Sequence, residues 1–194
     1  MNFVKKYFQN VAKIASLIDI NEVNTLAKEL AKVKKRNGRV FFLGVGGSAG
    51  NSSHAVNDFR KLCNIEAYTP TDNVSELTAR INDEGWNSSF ANWLKVSNLN
   101  KNDALFIFSV GGGNKKKKVS VNLIMAIDYA KKKGSKILGV IGKSDGYAKK
   151  SSNKVFVIPE VDKRMITPFS EAFQAVVWHC LVSHPLLQKN KTKW

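Results

Sequence analysis

The chain has 194 residues, 43% of them hydrophobic, and a formal net charge of +16. This length and composition suit a single domain with a substantial core, so we treat residues 1–194 as one unit. No apolar run approaches the roughly 18 residues that cross a bilayer, and the N-terminus carries no signal-peptide pattern. With two widely separated cysteines, Cys63 and Cys180, the chain is predicted to be a reduced, cytoplasmic protein with no membrane partner.

The positive charge is compatible with nucleic acid, with an anionic substrate or with a solvated surface. The lysines are spread along the chain, and the one dense run is Lys115 to Lys118. The sequence has no nucleic-acid-binding module and no alternation of aromatic and basic residues. We therefore do not expect nucleic acid as a partner, and we interpret the charge as a basic surface that also attracts sugar phosphates.

Two amphipathic helices are predicted before the first strand. Apolar residues recur at helical spacing over residues 2–18 and again over residues 22–35, with Asn21 as the predicted cap of the second helix. Asn37 and Gly38 end that helix. Such a pair can pack on its own domain or on a neighbouring subunit, and the sequence leaves both open.

Strands and helices alternate through the rest of the chain. Strands are predicted at residues 39–43, 65–69, 104–110, 136–141 and 155–158. Helices are predicted at residues 50–62, 74–81, 90–96, 120–133 and 171–187. This alternation predicts an α/β fold, a three-layer sandwich with a central parallel sheet and helices on both faces. The α/β core would span residues 37–188, after a helical pair at 1–36 and before a basic tail at 189–194.

Two glycine-rich turns follow strands at the edge where such sheets bind ligands. The first reads GVGGS and ends at Ser48, and the second reads SVGGGN and begins at Ser109. Backbone N–H groups and the positive end of a helix attract anions at turns of this kind. The spacing matches neither a dinucleotide nor a nucleoside-triphosphate motif. We interpret the turns as the floor of a phosphate-ester pocket; plain strand-to-helix turns are the alternative.

Four side chains on two predicted helices have the chemistry of a metal or acid–base site. His54 and Asp58 are four residues apart and share a helix face, and Glu171 and His179 are eight apart on nearly one face. Two imidazoles and two carboxylates can bind zinc or a related divalent ion. They can also act as acid and base without a metal, and a surface pair is the bland alternative for His54 and Asp58. Trp178 is expected in the core or at an interface, with no chemical role.

Five segments, spread over nearly the whole chain, carry a family resemblance: GVGGSAGNSSHAVND, TDNVSELTARINDEGW, ALFIFSVGGGN, AIDYAKKKGSKILGVIGKSDG and TPFSEAFQAVVWH. They resemble the sugar isomerase (SIS) domain family and, within it, the phosphoheptose isomerases. The resemblance implies a flavodoxin-like strand order. It also implies conversion of sedoheptulose 7-phosphate to D-glycero-D-manno-heptose 7-phosphate for surface polysaccharide, either lipopolysaccharide or capsule. The implied assembly is a homotetramer with zinc in active sites between subunits.

The resemblance assigns a role to each candidate residue. His54 and His179 fall on metal-ligand histidines, and His179 would also be the catalytic acid. Asp58 falls where the family has a catalytic, metal-binding glutamate, and Glu171 where it has a glutamine ligand. Asp72 and Asn73 are alternatives for one substrate-binding position. The full set of expected substrate-binding residues, taken from the two turns and the resemblance together, is Gly46, Gly47, Ser48, Asn51, Asp72, Asn73, Ser109, Gly111, Gly112, Gly113 and Ser120.

Three departures separate the chain from the family pattern. Asp58 is one methylene shorter than the usual glutamate, Pro168 replaces an aspartate, and the second turn continues into four lysines instead of a run rich in serine and threonine. The expected reaction is aldose–ketose isomerisation with Asp58 as base and His179 as acid. Two alternatives are a sugar-phosphate-binding or regulatory SIS protein without turnover, and a scaffold that associates with a replication initiator.

Overall fold

The computed structural model describes residues 2–192 of the chain, so Met1 and the last two residues of the predicted basic tail lie outside the described residues. The helices are α1 Phe3–Ser16, α2 Ile20–Lys35, α3 Gly47–Cys63, α4 Val74–Glu84, α5 Ser89–Val96, α6 Val121–Lys132, α7 Tyr147–Ser151 and α8 Ile166–Val182. The strands are β1 Val40–Leu43, β2 Ala67–Tyr68, β3 Ala104–Ser109, β4 Lys136–Ile141 and β5 Lys154–Val157.

The five strands form one parallel sheet in the order β2-β1-β3-β4-β5. This is the flavodoxin-like order, and it confirms the predicted α/β fold. β1 pairs with β3 in register from Val40 opposite Ala104 to Leu43 opposite Ile107. The chain direction across the sheet reverses between these two strands. The two glycine turns therefore leave neighbouring strands at the crevice where sheets of this kind bind ligands.

Helices cover both faces of the sheet. Phe42 and Phe106 pack on the face that carries α2, α3 and α8, while Phe41 and Leu105 pack on the face that carries α5 and α6. Every residue of β1 and β3 is buried, which explains why these strands read as continuous apolar runs. Within residues 2–192, none of the helices is long and apolar enough to span a bilayer.

Every predicted helix and strand is present, but several bounds differ: α3 begins at Gly47 instead of residue 50, α4 ends at Glu84 instead of residue 81, and β2 is limited to Ala67–Tyr68. The remaining differences lie in α2, α7 and α8. Asp19, not Asn21, caps α2, because its carboxylate accepts the N–H groups of Asn21 and Glu22 at 2.8 and 3.1 Å. α8 begins at Ile166, five residues before the predicted start, and Pro168 is tolerated because its missing N–H falls in the first turn. That helix also ends at Val182, earlier than predicted. α7 was not predicted, because five residues are too few to show a helical period.

Candidate functional site

The first glycine turn leads directly into α3, whose first N–H groups have no side-chain cap. Gly46 caps the helix with φ +63°, a conformation that favours glycine, and offers no side chain to the first N–H groups. The first turn of α3 contains no acidic residue. α3 therefore begins at the carboxyl edge of β1 with no side-chain cap and no acidic residue in its own first turn, a feature that favours an anion there.

Ser48, which is predicted to bind phosphate, makes a buried hydrogen bond within the protein. Its side chain is buried, and its hydroxyl donates a 3.0 Å hydrogen bond to Oε1 of Gln174 on α8. The Asn51 amide donates to the same oxygen at 3.0 Å and to the backbone carbonyl of Glu171 at 2.9 Å. A phosphate at this turn would thus meet backbone N–H groups, and Ser48 and Asn51 would hold the turn against α8.

Gln174 has a structural role that the sequence did not reveal. It is fully buried, and its Nε2 atom has no hydrogen-bond partner among the described residues. The available sequence signal was a single amide among the apolar residues of the last helix. A buried amide needs hydrogen-bond partners. The partners of Gln174 are on α3, so they became known only from the way α8 packs on α3.

Three of the four predicted metal ligands come together between α3 and α8. One ligand atom from each of His54, Asp58 and His179 lies within 4.8 Å of the other two. His54 Nε2 is 4.0 Å from Asp58 Oδ2, and the two imidazole rings are 5.5 Å apart at 89°. The histidines are exposed, with 58% of the His54 side chain accessible, so the group faces outward from the chain.

The fourth predicted ligand, Glu171, is not part of that group. Its carboxylate lies against the glycine turn, with its two oxygens 2.5 and 2.8 Å from where a β-carbon on Gly47 would sit. Only a glycine leaves room for this contact. The structure thus places a carboxylate of α8 beside Gly47, the first residue of α3.

The donors of the three-residue group suit a divalent ion such as zinc. His179 Nδ1 is 2.8 Å from the backbone carbonyl of Ala175, which can only accept, so Nδ1 carries the proton and the Nε2 lone pair is free in the neutral ring. A metal-bound histidine is commonly oriented by such a bond on its other nitrogen. Two imidazoles and a carboxylate match the ligands that zinc uses where it keeps an open position.

Trp178 orients both histidines, a role that the sequence did not predict. Its buried indole stacks on His179 with ring centroids 3.5 Å apart and meets His54 edge-on at 4.7 Å. The aromatic plane therefore limits the rotation of both rings. Its adjacency to a candidate histidine was visible in the sequence, but its contact with His54 depends on the packing of two helices.

The second glycine turn is held by hydrogen bonds to α7 and is flanked by two serine hydroxyls. Gly112 and Gly113 have φ values of +68° and +82°, and their carbonyls accept the N–H groups of Ala148 and Tyr147 at the start of α7. The other substrate-binding residues predicted in this turn flank the two glycines. Gly111 precedes them, and Ser109 Oγ accepts the Gly112 N–H at 2.9 Å. Ser120 is the N-cap residue of α6, and its side chain makes no capping hydrogen bond. Both hydroxyl protons thus have no partner among residues 2–192.

The lysine run forms a short loop closed by a backbone bridge between Asn114 and Val119. Lys115 lies 4.4 Å from the centre of the Tyr147 ring and 3.3 Å from a carboxylate oxygen of Asp128. Hydrogen bonds to Tyr147 and Asp128 raise the pKa of Lys115. The next three lysines, 116–118, are exposed and have no side-chain partner among the described residues.

Asp72 and Asn73, the two alternatives for one substrate-binding position, make different contacts. The Asp72 carboxylate accepts a hydrogen bond from the hydroxyl of Ser53, the residue before His54. Asn73 is used locally, because its side-chain oxygen accepts the N–H of Glu76 and caps α4. Asp72 is therefore the member of the pair that is tied to the helix carrying the three-residue group.

Comparisons with known proteins show the family and the fold of the chain. A sequence model of the SIS domain matches residues 6–142. The chain is 30% identical to the phosphoheptose isomerase of Nitratiruptor sp. over 77% of this chain and 76% of that one. It is 27% identical to that of Campylobacter jejuni over 97% and 96%. The structure of a phosphoheptose isomerase from Francisella tularensis has the same fold, with a TM-score of 0.78 over 94% and 97% of the two chains at 20% identity.

Proposed function

The chain belongs to the SIS-domain family of isomerases, and on that premise we propose that it interconverts sedoheptulose 7-phosphate and D-glycero-D-manno-heptose 7-phosphate. The product would serve the synthesis of surface polysaccharide. The observation that supports the proposal is that α3 and α8 together hold both the first glycine turn and the group of His54, Asp58 and His179. Incubation with the ketose phosphate in heavy water tests it, because an enediolate step exchanges the proton beside the carbonyl for deuterium.

The substrate phosphate would bind at the two glycine turns. The open end of α3 supplies backbone N–H groups and a positive dipole, and the hydroxyls of Ser109 and Ser120 supply further donors from the neighbouring turn. Binding energy from this distant group would hold the sugar in one orientation over the reacting atoms. Asp72, tied to α3 through Ser53, is the proposed partner for a sugar hydroxyl.

Proton transfer would be carried out by Asp58 and His179. Asp58 Oδ2 is the proposed base that removes the proton from the carbon beside the carbonyl and then delivers a proton to the former carbonyl carbon. His179 Nε2, which the Nδ1 bond to Ala175 leaves unprotonated in the neutral ring, would accept a hydroxyl proton and return it to the neighbouring oxygen. Asn57 donates to the other carboxylate oxygen of Asp58 at 2.8 Å, which holds the base in place.

His54, Asp58 and His179 are also the proposed ligands of a zinc or related ion, which would stabilise negative charge on the enediolate oxygen as a Lewis acid. One lone pair on Nε2 cannot serve an ion and a proton at once. The metal dependence of the exchange rate therefore distinguishes the two uses of His179.

A second copy of the chain would complete the site in the proposed homotetramer. The histidines are open to solvent, and α1 exposes three large apolar side chains, Phe3, Val4 and Phe8. Apolar area of this kind is buried in stable oligomers. The molecular mass in solution, measured by light scattering, tests this part of the proposal.

Binding without turnover is the second candidate function, and the position of Glu171 favours it. The Glu171 carboxylate lies at the first glycine turn and not beside His54, Asp58 and His179. The proposed catalytic group therefore has three members instead of four. A protein that binds the sugar phosphate and exchanges no proton would fit this reading.

A further inference from the structure

A basic cavity lies at the edge of the sheet opposite the two glycine turns. It has a volume of about 460 Å³ and is lined by Lys95, residues 98–102, Tyr129 and Lys133. Residues 98–102 connect α5 to β3, and Lys133 stands between α6 and β4, so the cavity lies at the amino ends of these parallel strands. We propose that this cavity binds a small anion with two or more phosphate groups. The inference is independent of the proposed function, because the glycine turns follow the carboxyl ends of β1 and β3.

The first observation is that every charged side chain lining the cavity is positive. Lys95, Lys101 and Lys133 contribute three ammonium groups, and none of them pairs with a carboxylate of the described residues. Lys95 Nζ donates to the side-chain oxygen of Asn92 at 2.7 Å. Lys133 Nζ lies 5.6 Å from the centre of the Tyr129 ring. In the part of the chain that the structure describes, the three charges are therefore not neutralised by ion pairs.

The second observation is that the acidic residue next to the wall of the cavity is already paired. Asp103, which directly follows residues 98–102, is buried, and its carboxylate accepts hydrogen bonds from Arg39 at 2.8 Å and from the Asn100 N–H at 3.0 Å. Arg39 also donates to the backbone carbonyl of Asn98 at 3.0 Å. These bonds fix the wall, and they use Asp103 inside it instead of opposite the lysines.

The third observation is that the lysines exceed what the neighbouring helix ends require. α5 ends at Val96 and α6 ends at Lys132, so both helices present carbonyl ends at this edge of the sheet. A helix carbonyl end carries about half a negative charge, so the two ends together offset about one of the three ammonium groups. An excess of about two positive charges remains, and it favours an anion in the cavity.

The arrangement of these charges favours a ligand with more than one phosphate. The ammonium groups come from three segments, namely α5, the connection to β3 and the end of α6, so a ligand must extend between them to meet all three. The Asn102 side-chain amide and the Tyr129 hydroxyl make no hydrogen bond with the described residues and offer further donors. A volume of about 460 Å³ suits a small molecule. Single-stranded nucleic acid, by contrast, requires an extended groove with several stacking aromatic rings.

The experiment is calorimetric titration of the full-length protein with inorganic pyrophosphate at constant ionic strength. The test variant is Lys101→Gln/Lys133→Gln. The matched control, Lys5→Gln/Lys28→Gln, removes the same charge from exposed positions of α1 and α2. We expect the test variant to bind pyrophosphate about tenfold more weakly than the natural chain, because two charge contacts are lost, and the control to bind it within about twofold. Circular dichroism establishes that each variant folds.

A second measurement locates the bound probe. Lysines are labelled with an amine-reactive reagent in the presence and absence of pyrophosphate, and the labelled positions are read by mass spectrometry. Protection of Lys95, Lys101 and Lys133, with no protection of Lys28, is the expected result. Protection confined to lysines outside the cavity would contradict the proposal.

Three outcomes of the titration would overturn the inference. Equal binding by the natural chain and the test variant would place the pyrophosphate elsewhere, and equal weakening in the test variant and the control would show an effect of net charge alone. Absence of binding to the natural chain would show that the cavity holds no such anion. If a single-stranded oligonucleotide then bound in its place and lost affinity in the test variant, the cavity would belong to a nucleic-acid surface. None of these outcomes bears on isomerase activity, which proton exchange tests separately.

Discussion

The side-chain oxygen of Gln174 accepts a 3.0 Å hydrogen bond from the Ser48 hydroxyl, and this bond joins the last helix of the chain to the turn that begins α3. Asn51 donates to the same oxygen. The turn that would bind phosphate and the helix that carries His179 are thus held in one arrangement. A buried amide, rather than apolar packing alone, sets the geometry of the candidate site.

Replacing Gln174 by alanine should destabilise the protein. The change leaves the buried Ser48 hydroxyl without its acceptor, removes one of the two acceptors of the Asn51 amide, and opens a cavity. We expect the free energy of unfolding to fall by about 2–4 kcal/mol. Urea denaturation measures this, with Gln9→Ala on the exposed face of α1 as the control, for which we expect a change within about 0.5 kcal/mol. Equal stability of the two variants would show that the bonds of Gln174 contribute nothing.

Metal binding should depend on His54 and not on His184. His54 belongs to the three-residue group, whereas His184 lies beyond α8, where its Nδ1 accepts the Leu186 N–H at 3.1 Å. We expect His54→Ala to weaken zinc binding by at least about tenfold, because one of three ligands is lost. His184→Ala is the matched control, and equilibrium dialysis with zinc is the measurement. Equal zinc affinity of the natural chain and His54→Ala would place the metal elsewhere.

The two cysteines should differ in reactivity. Burial raises the pKa of the Cys63 thiol to about 11, because the charged thiolate is disfavoured away from water, while Cys180 is exposed. At pH 8 about one Cys63 thiol in a thousand would be ionised. We expect a disulfide reagent at pH 8 to modify Cys180 first, and Cys63 only as the pH approaches 11 or the protein unfolds. Rapid modification of folded Cys180→Ser at pH 8 would contradict the burial of Cys63.

The fold could be predicted from the sequence because its signals are local. Buried strands such as Ala104–Ser109 read as apolar runs, and the glycine turns mark where the strands end. The five-residue helix α7 was missed because it is shorter than two helical turns. The early start of α8 was missed because Pro168 resembles a break, although proline is tolerated in the first turn of a helix.

The candidate site could be predicted only in part, because its contacts cross between helices. His54 and Asp58 share a face of one helix, so their spacing was informative. The approach of His179 to them, and the turning of Glu171 toward Gly47, depend on how α8 packs against α3. Spacing along α8 put Glu171 and His179 on nearly one face. A separation of eight positions spans more than two turns, however, so the two side chains reach different parts of α3.

Proton exchange at the carbon beside the carbonyl is the direct test of the proposed isomerase activity. Purified protein with added zinc is incubated with sedoheptulose 7-phosphate in heavy water and followed by proton NMR. We expect deuterium beside the carbonyl together with a new aldose signal, and loss of both in Asp58→Asn and His179→Ala. Binding of the sugar phosphate by the natural chain without any exchange would contradict the isomerase and leave a protein that binds its ligand without turnover.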